Sequence, residues 1–236
     1  MQNVYEIAEV KIKIRYRSPY IEKAYAEYFC GGDNFDFEVT VSDEEIEAEK
    51  AFLSGLGGEQ YENLAIFRKI ADTMLEKYNA LVFHSSAVSY NGGGVLVAAK
   101  SGTGKSTLNR RIKAAEPEKT EYVNDDKPII RLIGGKWYVF GTPWTGKHRL
   151  GKNVKVPLKA IILLTRGENY AKKIDGIDAL KELFTQTVRA KNAEAAETVI
   201  RLYESLIKTV GFYRYSCLNE DSAATYAVEN ILEKLK

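Results

Sequence analysis

The chain has 236 residues, a net charge of +2 and two cysteines. This length is enough for one large domain, or for a nucleotide-binding domain with a small lobe, to bury a core without disulfide support. Because Cys30 and Cys217 lie far apart and form no metal-ligand spacing, they argue against a zinc site and predict a reducing cytoplasm. No apolar stretch is long enough to span a bilayer, so we expect a cytoplasmic protein with no membrane partner.

Charge is distributed unevenly along the chain. Residues 1–80 carry 9 Lys and Arg against 16 Asp and Glu, a net charge of −7, whereas residues 81–236 carry 25 against 16, a net charge of +9. A basic second part favours polyphosphate ligands or an acidic substrate, and ordinary solvated surface charge explains it about as well. We expect no nucleic-acid partner.

Residues 1–58 predict a small N-terminal α+β lobe. Apolar and charged residues alternate over 4–16 and again over 35–41, which is typical of half-buried strands. Ser42 and Glu45 form a capping-box pattern that opens a short acidic helix, and the glycines at 55, 57 and 58 end that helix. The glycines predict a linker, so we expect the domain boundary between residues 58 and 59.

Residues 59–236 predict an α/β domain whose sheet is mixed and largely antiparallel. An amphipathic helix over 59–78 opens it, and a strand over 81–90 then turns at residues 91–94 into the strand 95–97. Because a hairpin feeds this strand, a fully parallel sheet is disfavoured. The other predicted elements are a helix over 105–115, a strand ending at 124–126, a hairpin of 129–132 and 137–140, a strand over 157–165, helices over 176–188 and 193–209, a strand over 212–217 and a final helix to 235.

The sequence Ala99-Lys100-Ser101-Gly102-Thr103-Gly104-Lys105-Ser106-Thr107 predicts a phosphate-binding loop between a strand and a helix. The first amides of a helix lack intrahelical acceptors and its N-terminal end is positive, so this place binds an anion. Lys105 adds charge for the β- and γ-phosphates, and the Ser106 hydroxyl is placed to ligate Mg²⁺. The predicted nucleotide-binding residues are Ser101, Gly102, Thr103, Gly104, Lys105, Ser106 and Thr107.

The loop departs from the full motif at its first position, where Ala99 stands in place of glycine. Alanine avoids positive φ, so we expect an ordinary strand-end conformation there and the tight turn at Gly102. The alternative is a glycine-rich turn that happens to precede a lysine.

Asp125 and Asp126 lie at the end of the strand that follows the loop. Phosphoryl transfer needs carboxylates close to the phosphates, so this position suits them. Both are predicted to be catalytic, Asp125 as the general base and Asp126 beside the metal with Ser106. Two adjacent carboxylates also push their pKa values apart, which favours different roles. An exposed Asn-Asp-Asp turn is the alternative.

Two further segments carry candidate residues. His84 lies on the predicted strand that precedes the strand leading into the loop. A catalytic role for His84 and a place in the buried core are equally weighted interpretations. The loop over 141–149 is dense in glycine and basic residues, and Trp144, Lys147 and Arg149 are candidate substrate contacts. Arg149 is able to clamp oxygens in a bidentate manner, and a surface bend is the alternative for this loop.

Taken together, His84-Ser85-Ser86-Ala87, the loop over 99–107 and Asn124-Asp125-Asp126 resemble the HPr kinase/phosphorylase and phosphoenolpyruvate carboxykinase superfamily. The segment 124–159 looks like a bacterial subgroup of small HPr-kinase-like proteins, and the resemblance covers roughly residues 80–235. It implies a compact mixed sheet, with ATP and Mg²⁺ at the loop and Mn²⁺ as an alternative metal. It also implies proton abstraction from a serine-like hydroxyl by Asp125, assisted by His84.

The predicted function is therefore an ATP- and Mg²⁺-dependent kinase that phosphorylates a hydroxyl of a peptide, protein or small molecule. HPr itself is not expected as the substrate, because the Arg-Gly-Leu-Gly signature and basic C-terminal helix used for its recognition are not evident. One alternative is an ATP-sensing or scaffold module without catalysis. A carboxykinase-like enzyme is a weaker alternative, because those enzymes are much longer and carry further substrate-binding arginines. The oligomeric state is open, and a homo-oligomer is compatible with the sequence.

Overall fold

A computed structural model of the chain describes residues 1–187 and 191–235. Its N-terminal part forms a three-stranded sheet with two helices and a short 3₁₀ turn. These elements are β1 (Gln2–Ile7), β2 (Val10–Arg15), α1 (Pro19–Ala24), the 3₁₀ turn (Ala26–Tyr28), β3 (Phe37–Val39) and α2 (Asp43–Phe52). β2 pairs antiparallel with β1 and parallel with β3. The predicted strands and the capping box of Ser42 and Glu45 are confirmed, whereas α1 was not predicted.

α3 (Gly58–Tyr78) follows and confirms the helix predicted over 59–78. It ends at Asn79, which adopts the left-handed conformation common after a helix C-terminus. Ile66, Ile70 and Met74 recur at helical spacing and are fully buried. Burying each of these side chains contributes about 1.5–3 kcal/mol, so packing rather than helix propensity stabilises this element.

The remaining chain combines nine strands with four helices and a short 3₁₀ turn in its described part. Its elements are β4 (Ala80–Val82), β5 (Ser85–Tyr90), β6 (Gly93–Ala98), α4 (Lys105–Ala115), β7 (Thr120–Asn124), β8 (Ile129–Ile133), β9 (Lys136–Phe140), β10 (Lys155–Arg166), β11 (Tyr170–Ile174), α5 (Gly176–Gln186), α6 (Ala193–Thr209), β12 (Gly211–Cys217), α7 (Ser222–Asn230) and a 3₁₀ turn (Leu232–Lys234).

Four of the sequence-based predictions differ from the structure. The single strand expected over 81–90 is two strands that pair with different neighbours, β4 with β8 and β5 with β6 and β7. β11, which pairs with β12, was not predicted. The last helix ends at Asn230 and continues only as a 3₁₀ turn. The helix predicted over 176–188 extends to Gln186, and residue 188 lies outside the described residues, as does residue 236.

The large sheet is mixed, as predicted. Its order is β4-β8-β9-β10-β6-β5-β7, and β12 joins β10 and β11 beside it. β10 runs parallel to β6 and β12, and the other neighbouring strands are antiparallel. The first residues of β10 pair with β9, whereas Ala160–Arg166 pair with β12, so the sheet curls around this long strand.

Helices cover both faces of β6, which carries the predicted phosphate loop. Val95 and Val97 pack in one cluster with residues of α4 and α7, and Leu96 and Ala98 pack in another with residues of α5 and α6. This alternation is the period of a strand buried on both faces. It fixes the end of β6, and with it the start of the loop.

The N-terminal sheet does not have a core of its own. Ile12 of β2 and Ile66 of α3 belong to one cluster with Ile129 of β8, Phe140 of β9 and Trp144. The boundary between residues 58 and 59 stays a prediction. No helix in the described part of the chain is both long and apolar enough to cross a membrane.

Candidate active site

The predicted phosphate loop connects the end of β6 to the first residue of α4, which is the position expected from the sequence. Gly102 and Gly104 have φ values of 77° and 117°, a backbone region that other residues reach only at a cost of about 1–3 kcal/mol. Gly104 lies directly before the helix, so the open amides at the start of α4 border the loop. This geometry agrees with an anion-binding loop.

Arg166 supports this loop from the neighbouring parallel strand and was not predicted from the sequence. Its Nη2 donates a hydrogen bond to the Gly102 carbonyl at 2.6 Å. Arg166 ends β10, and because β10 is parallel to β6, both strands end at the same edge of the sheet. The sequence does show an arginine at the end of an apolar strand. Its contact with the loop could be recognised only once the pairing of β10 with β6 was known.

Lys105 is buried, with only 7% of its surface exposed. Its Nζ donates to the Ala99 carbonyl at 3.0 Å and lies 3.5 Å from Nε2 of His84. Burial lowers the pKa of Lys105, and the Asp126 carboxylate acts in the opposite direction. An oligophosphate beside this ammonium group would favour its charged form in the same way as Asp126.

His84 lies between β4 and β5 and contacts two other candidate residues. Its Nε2 is 3.4 Å from Oδ1 of Asp126, in addition to its contact with Lys105. The side chain is 44% exposed, so His84 is not a buried core histidine. Burial lowers its pKa, Lys105 lowers it further, and Asp126 acts against both. The lowered pKa of His84 therefore favours its neutral imidazole form.

Asp125 and Asp126 face different surroundings just beyond β7. Oδ1 of Asp125 accepts a hydrogen bond from the Gly146 amide at 2.6 Å, whereas its buried Oδ2 has no hydrogen-bond partner among residues 1–187 and 191–235. Asp126 contacts His84 and forms an ion pair with Lys127. The two carboxylates therefore lie in different environments, which is the arrangement that gives neighbouring acids different roles.

Asn124 organises the turn that carries both carboxylates. Its Oδ1 accepts hydrogen bonds from the amides of Asp126 and Lys127, each at 2.8 Å. Its Nδ2 donates to the carbonyl and to the hydroxyl oxygen of Thr142, each at 3.0 Å. Asn124 is 1% exposed, so this triplet is not an exposed turn. Its side chain instead joins the end of β7 to the loop that follows β9.

The loop over 141–151 lies against the carboxylates and against the N-terminal part of the chain. Trp144 is buried, its Nε1 donates to the Tyr25 hydroxyl at 2.8 Å, and its ring centroid is 4.9 Å from that of Phe67. Trp144 therefore anchors the loop, and its contact with substrate stays a prediction. Lys147 and Arg149 are exposed and line the same cavity as Trp144.

Ser106 and Asp126, the predicted metal ligands, lie on two elements that meet. The Ser106 hydroxyl donates to the main-chain carbonyl of Asp125 at 3.1 Å. In the described part of the chain, no three His, Cys, Asp or Glu side chains group closely enough to hold a metal. Mg²⁺ at phosphate sites is bound through one or two protein oxygens together with phosphate oxygens and water. A hydroxyl and a carboxylate fit that ligand chemistry.

No family model and no curated protein matches this chain. Among solved structures, the fold is similar to the Hpr(Ser) kinase/phosphatase from Coxiella burnetii. The similarity has a TM-score of 0.37 and 11% sequence identity, and covers 64% of this chain and 97% of that one. At these values the likeness is distant.

Proposed function

We propose that this protein is an ATP- and Mg²⁺-dependent kinase that transfers the γ-phosphoryl group to a hydroxyl of a peptide, a protein or a small molecule. The observation that carries the proposal is that His84 contacts both the phosphate loop and one of the carboxylates. Lys105, the lysine of the loop, lies 3.5 Å from His84, and His84 lies 3.4 Å from Asp126. Phosphoryl transfer needs these two groups of residues at one place.

ATP would bind with its phosphates along the loop. The amides over 101–107 and at the start of α4 would donate to phosphate oxygens, and Lys105 would leave the Ala99 carbonyl to meet the β- and γ-phosphates. The side chains of Ser101, Thr103 and Thr107 line the same segment and complete the proposed binding residues. Arg166 would keep the loop in this shape through the Gly102 carbonyl.

Ser106 and Asp126 would hold Mg²⁺ beside the phosphates, and Mn²⁺ would suit the same two oxygen ligands. When bound, the metal ion neutralises charge on the phosphate oxygens. His84 and Lys127 contact Asp126 and would fix the direction of its carboxylate. We assign His84 to this positioning role.

Asp125 would be the general base. The Gly146 amide holds Oδ1, and Oδ2 has no partner in the described chain, so a proton acceptor is already oriented. As the acceptor oxygen bonds to the γ-phosphorus, its proton passes to Asp125. The bond from that phosphorus to the β,γ-bridging oxygen breaks, and ADP leaves with the electron pair.

The first test compares Asp125→Asn with Lys105→Ala. Asparagine keeps the shape of Asp125 but cannot take the proton, so kcat should fall by about 10²–10⁴-fold with ATP affinity nearly unchanged. Lys105→Ala should weaken ATP binding itself. Titration calorimetry with ATP and Mg²⁺ measures affinity, and transfer of ³²P from γ-labelled ATP to pools of peptides, proteins and metabolites measures catalysis.

Asp33→Asn is the matched control, because Asp33 is exposed and far along the chain from these carboxylates. Since Lys105 is buried, the thermal midpoint of Lys105→Ala must be measured alongside its affinity. Near-normal turnover by Asp125→Asn would remove the general base from the proposal. ATP binding without transfer to any of the three pools would instead favour an ATP-sensing module.

A further inference from the structure

A cavity of about 630 Å³ lies between the N-terminal part of the chain, α3 and the loop over 141–151. Lys23 and Tyr28 line it from the N-terminal part, Asn63 and Phe67 from α3, and Arg149 from the loop. Cavities of about 300–1,000 Å³ are the size that holds small molecules. The N-terminal part of the chain therefore supplies one side of a ligand-sized space.

Two residues that line this cavity also contact the proposed catalytic carboxylates. Gly146 lines it and also donates its amide hydrogen to Asp125 at 2.6 Å. Lys127 lines it too, pairs with Asp126, and lies 5.7 Å from the centroid of the Phe67 ring. Gly146 and Lys127 therefore connect the lining of the cavity to the carboxylates.

The charged residues around the cavity are mostly cationic. Among the described residues, Glu27 is the one acidic residue that lines it. The cations are Lys23, Lys127, Lys147 and Arg149. Lys127 is paired with Asp126, whereas the other three have no carboxylate within 4.0 Å among residues 1–187 and 191–235. Cations gathered around one space repel one another, and an anionic ligand would relieve that repulsion.

We propose that this cavity binds the phosphoryl acceptor, and that the acceptor is a small hydroxy compound carrying a carboxylate or phosphate group. The inference rests on the proposed kinase function. Lys23, Lys147 and Arg149 would bind the anionic group, with Arg149 able to engage two oxygens at once. The hydroxyl would then meet Asp125, which takes its proton as the new oxygen–phosphorus bond forms and ADP departs.

The test uses the full chain, Mg²⁺ and γ-³²P-labelled ATP. A metabolite extract of the source cells is split on an anion exchanger into retained and unretained fractions before the reaction, and the protein fraction is tested separately. We expect label only in compounds from the retained fraction. Label in proteins or in unretained compounds would overturn this inference while supporting the kinase. If the protein binds ATP but transfers label to no fraction, both this inference and the proposed kinase function are overturned.

The two anionic groups are distinguished by treating the retained fraction with alkaline phosphatase and removing the enzyme before ATP is added. An acceptor that carries a phosphate ester would then no longer be labelled. An acceptor that carries a carboxylate would still be labelled. Either result agrees with the inference and names the group.

Charge-removing variants test the cavity directly. With the purified acceptor, Lys23→Gln and Arg149→Gln should each raise its KM by about tenfold or more, because each removes a charged hydrogen bond, and leave the KM for ATP unchanged. Lys136→Gln and Lys159→Gln are controls, since these exposed lysines do not line the cavity. The assignment of the cavity as the acceptor site would be contradicted if the control variants raised the acceptor KM as much as the cavity variants do. It would also be contradicted if the cavity variants left that KM unchanged.

Discussion

At the scale of single residues, the protonation of His84 links the site to stability. Burial and Lys105 hold its pKa in the folded protein below the value of about 6.5 in an unfolded chain. Between these two values the unfolded chain binds more protons, so the free energy of unfolding rises with pH. The contribution of neutral His84 is fully present above about pH 6.5 and is lost as the pH falls through the folded pKa.

We therefore predict that wild-type protein without nucleotide or Mg²⁺ loses stability from pH 7.5 to pH 5 more steeply than His84→Gln. Urea unfolding at several pH values measures this slope. His148→Gln, in the exposed part of the loop over 141–151, is the comparison variant, and the prediction requires His84→Gln to change the slope more than His148→Gln does. Identical slopes for wild type and His84→Gln would contradict the prediction.

At the scale of elements, hydrogen bonds join the loop over 141–151 to Tyr25, directly after α1, and to α3. Trp144 donates to the Tyr25 hydroxyl, which in turn donates to Oδ1 of Asn63 at 2.8 Å. Tyr25 is fully buried, so Tyr25→Phe would leave the indole N–H without its acceptor. We predict a loss of about 1–3 kcal/mol in the free energy of unfolding, measured by urea titration.

Tyr20→Phe is the matched control for this prediction. The Tyr20 hydroxyl has no hydrogen bond to any described residue, and its ring also lines the cavity. Its removal should change stability by less than about 0.5 kcal/mol. If Tyr25→Phe is equally mild, the hydrogen bonds through Tyr25 do not hold the loop.

At the scale of the whole molecule, the N-terminal part shares its core with the rest of the chain. The connection from α2 to α3 is nevertheless exposed, with Phe52 at 74% and Leu53 and Leu56 also on the surface. We predict that chymotrypsin cuts first within residues 52–57. Because Ile12, Ile66 and Ile129 pack in one cluster, the two pieces should stay together in size-exclusion chromatography and separate only in denaturant.

The variant with both Phe52→Ala and Leu53→Ala removes two of these cleavage sites and should slow the cut. First cleavage confined to residues 80–165 would contradict the predicted connection. Separation of the pieces without denaturant would instead show that the N-terminal part folds and packs independently.

Features that depend on neighbouring residues could be predicted from the sequence. The capping box of Ser42 and Glu45, the helix over 59–78 and the strand–loop–helix around Lys105 each rest on contacts within a few positions. The split of residues 81–90 was missed because no glycine or proline interrupts this stretch of sequence. Only the pairing of β4 with β8 and of β5 with β6 separates them.

The type of site was predicted from residue types alone, because glycines, a lysine and paired carboxylates carry their chemistry in their side chains and backbone. Tertiary structure decided which other residues join them. Trp144 reaches Tyr25, 119 positions away, and becomes an anchor, while Arg166 reaches Gly102 from a parallel strand. The cavity lined by Lys23 and Arg149 likewise depends on chain packing. Local periodicity reports which face of an element is buried, but carries no information about which distant element covers it.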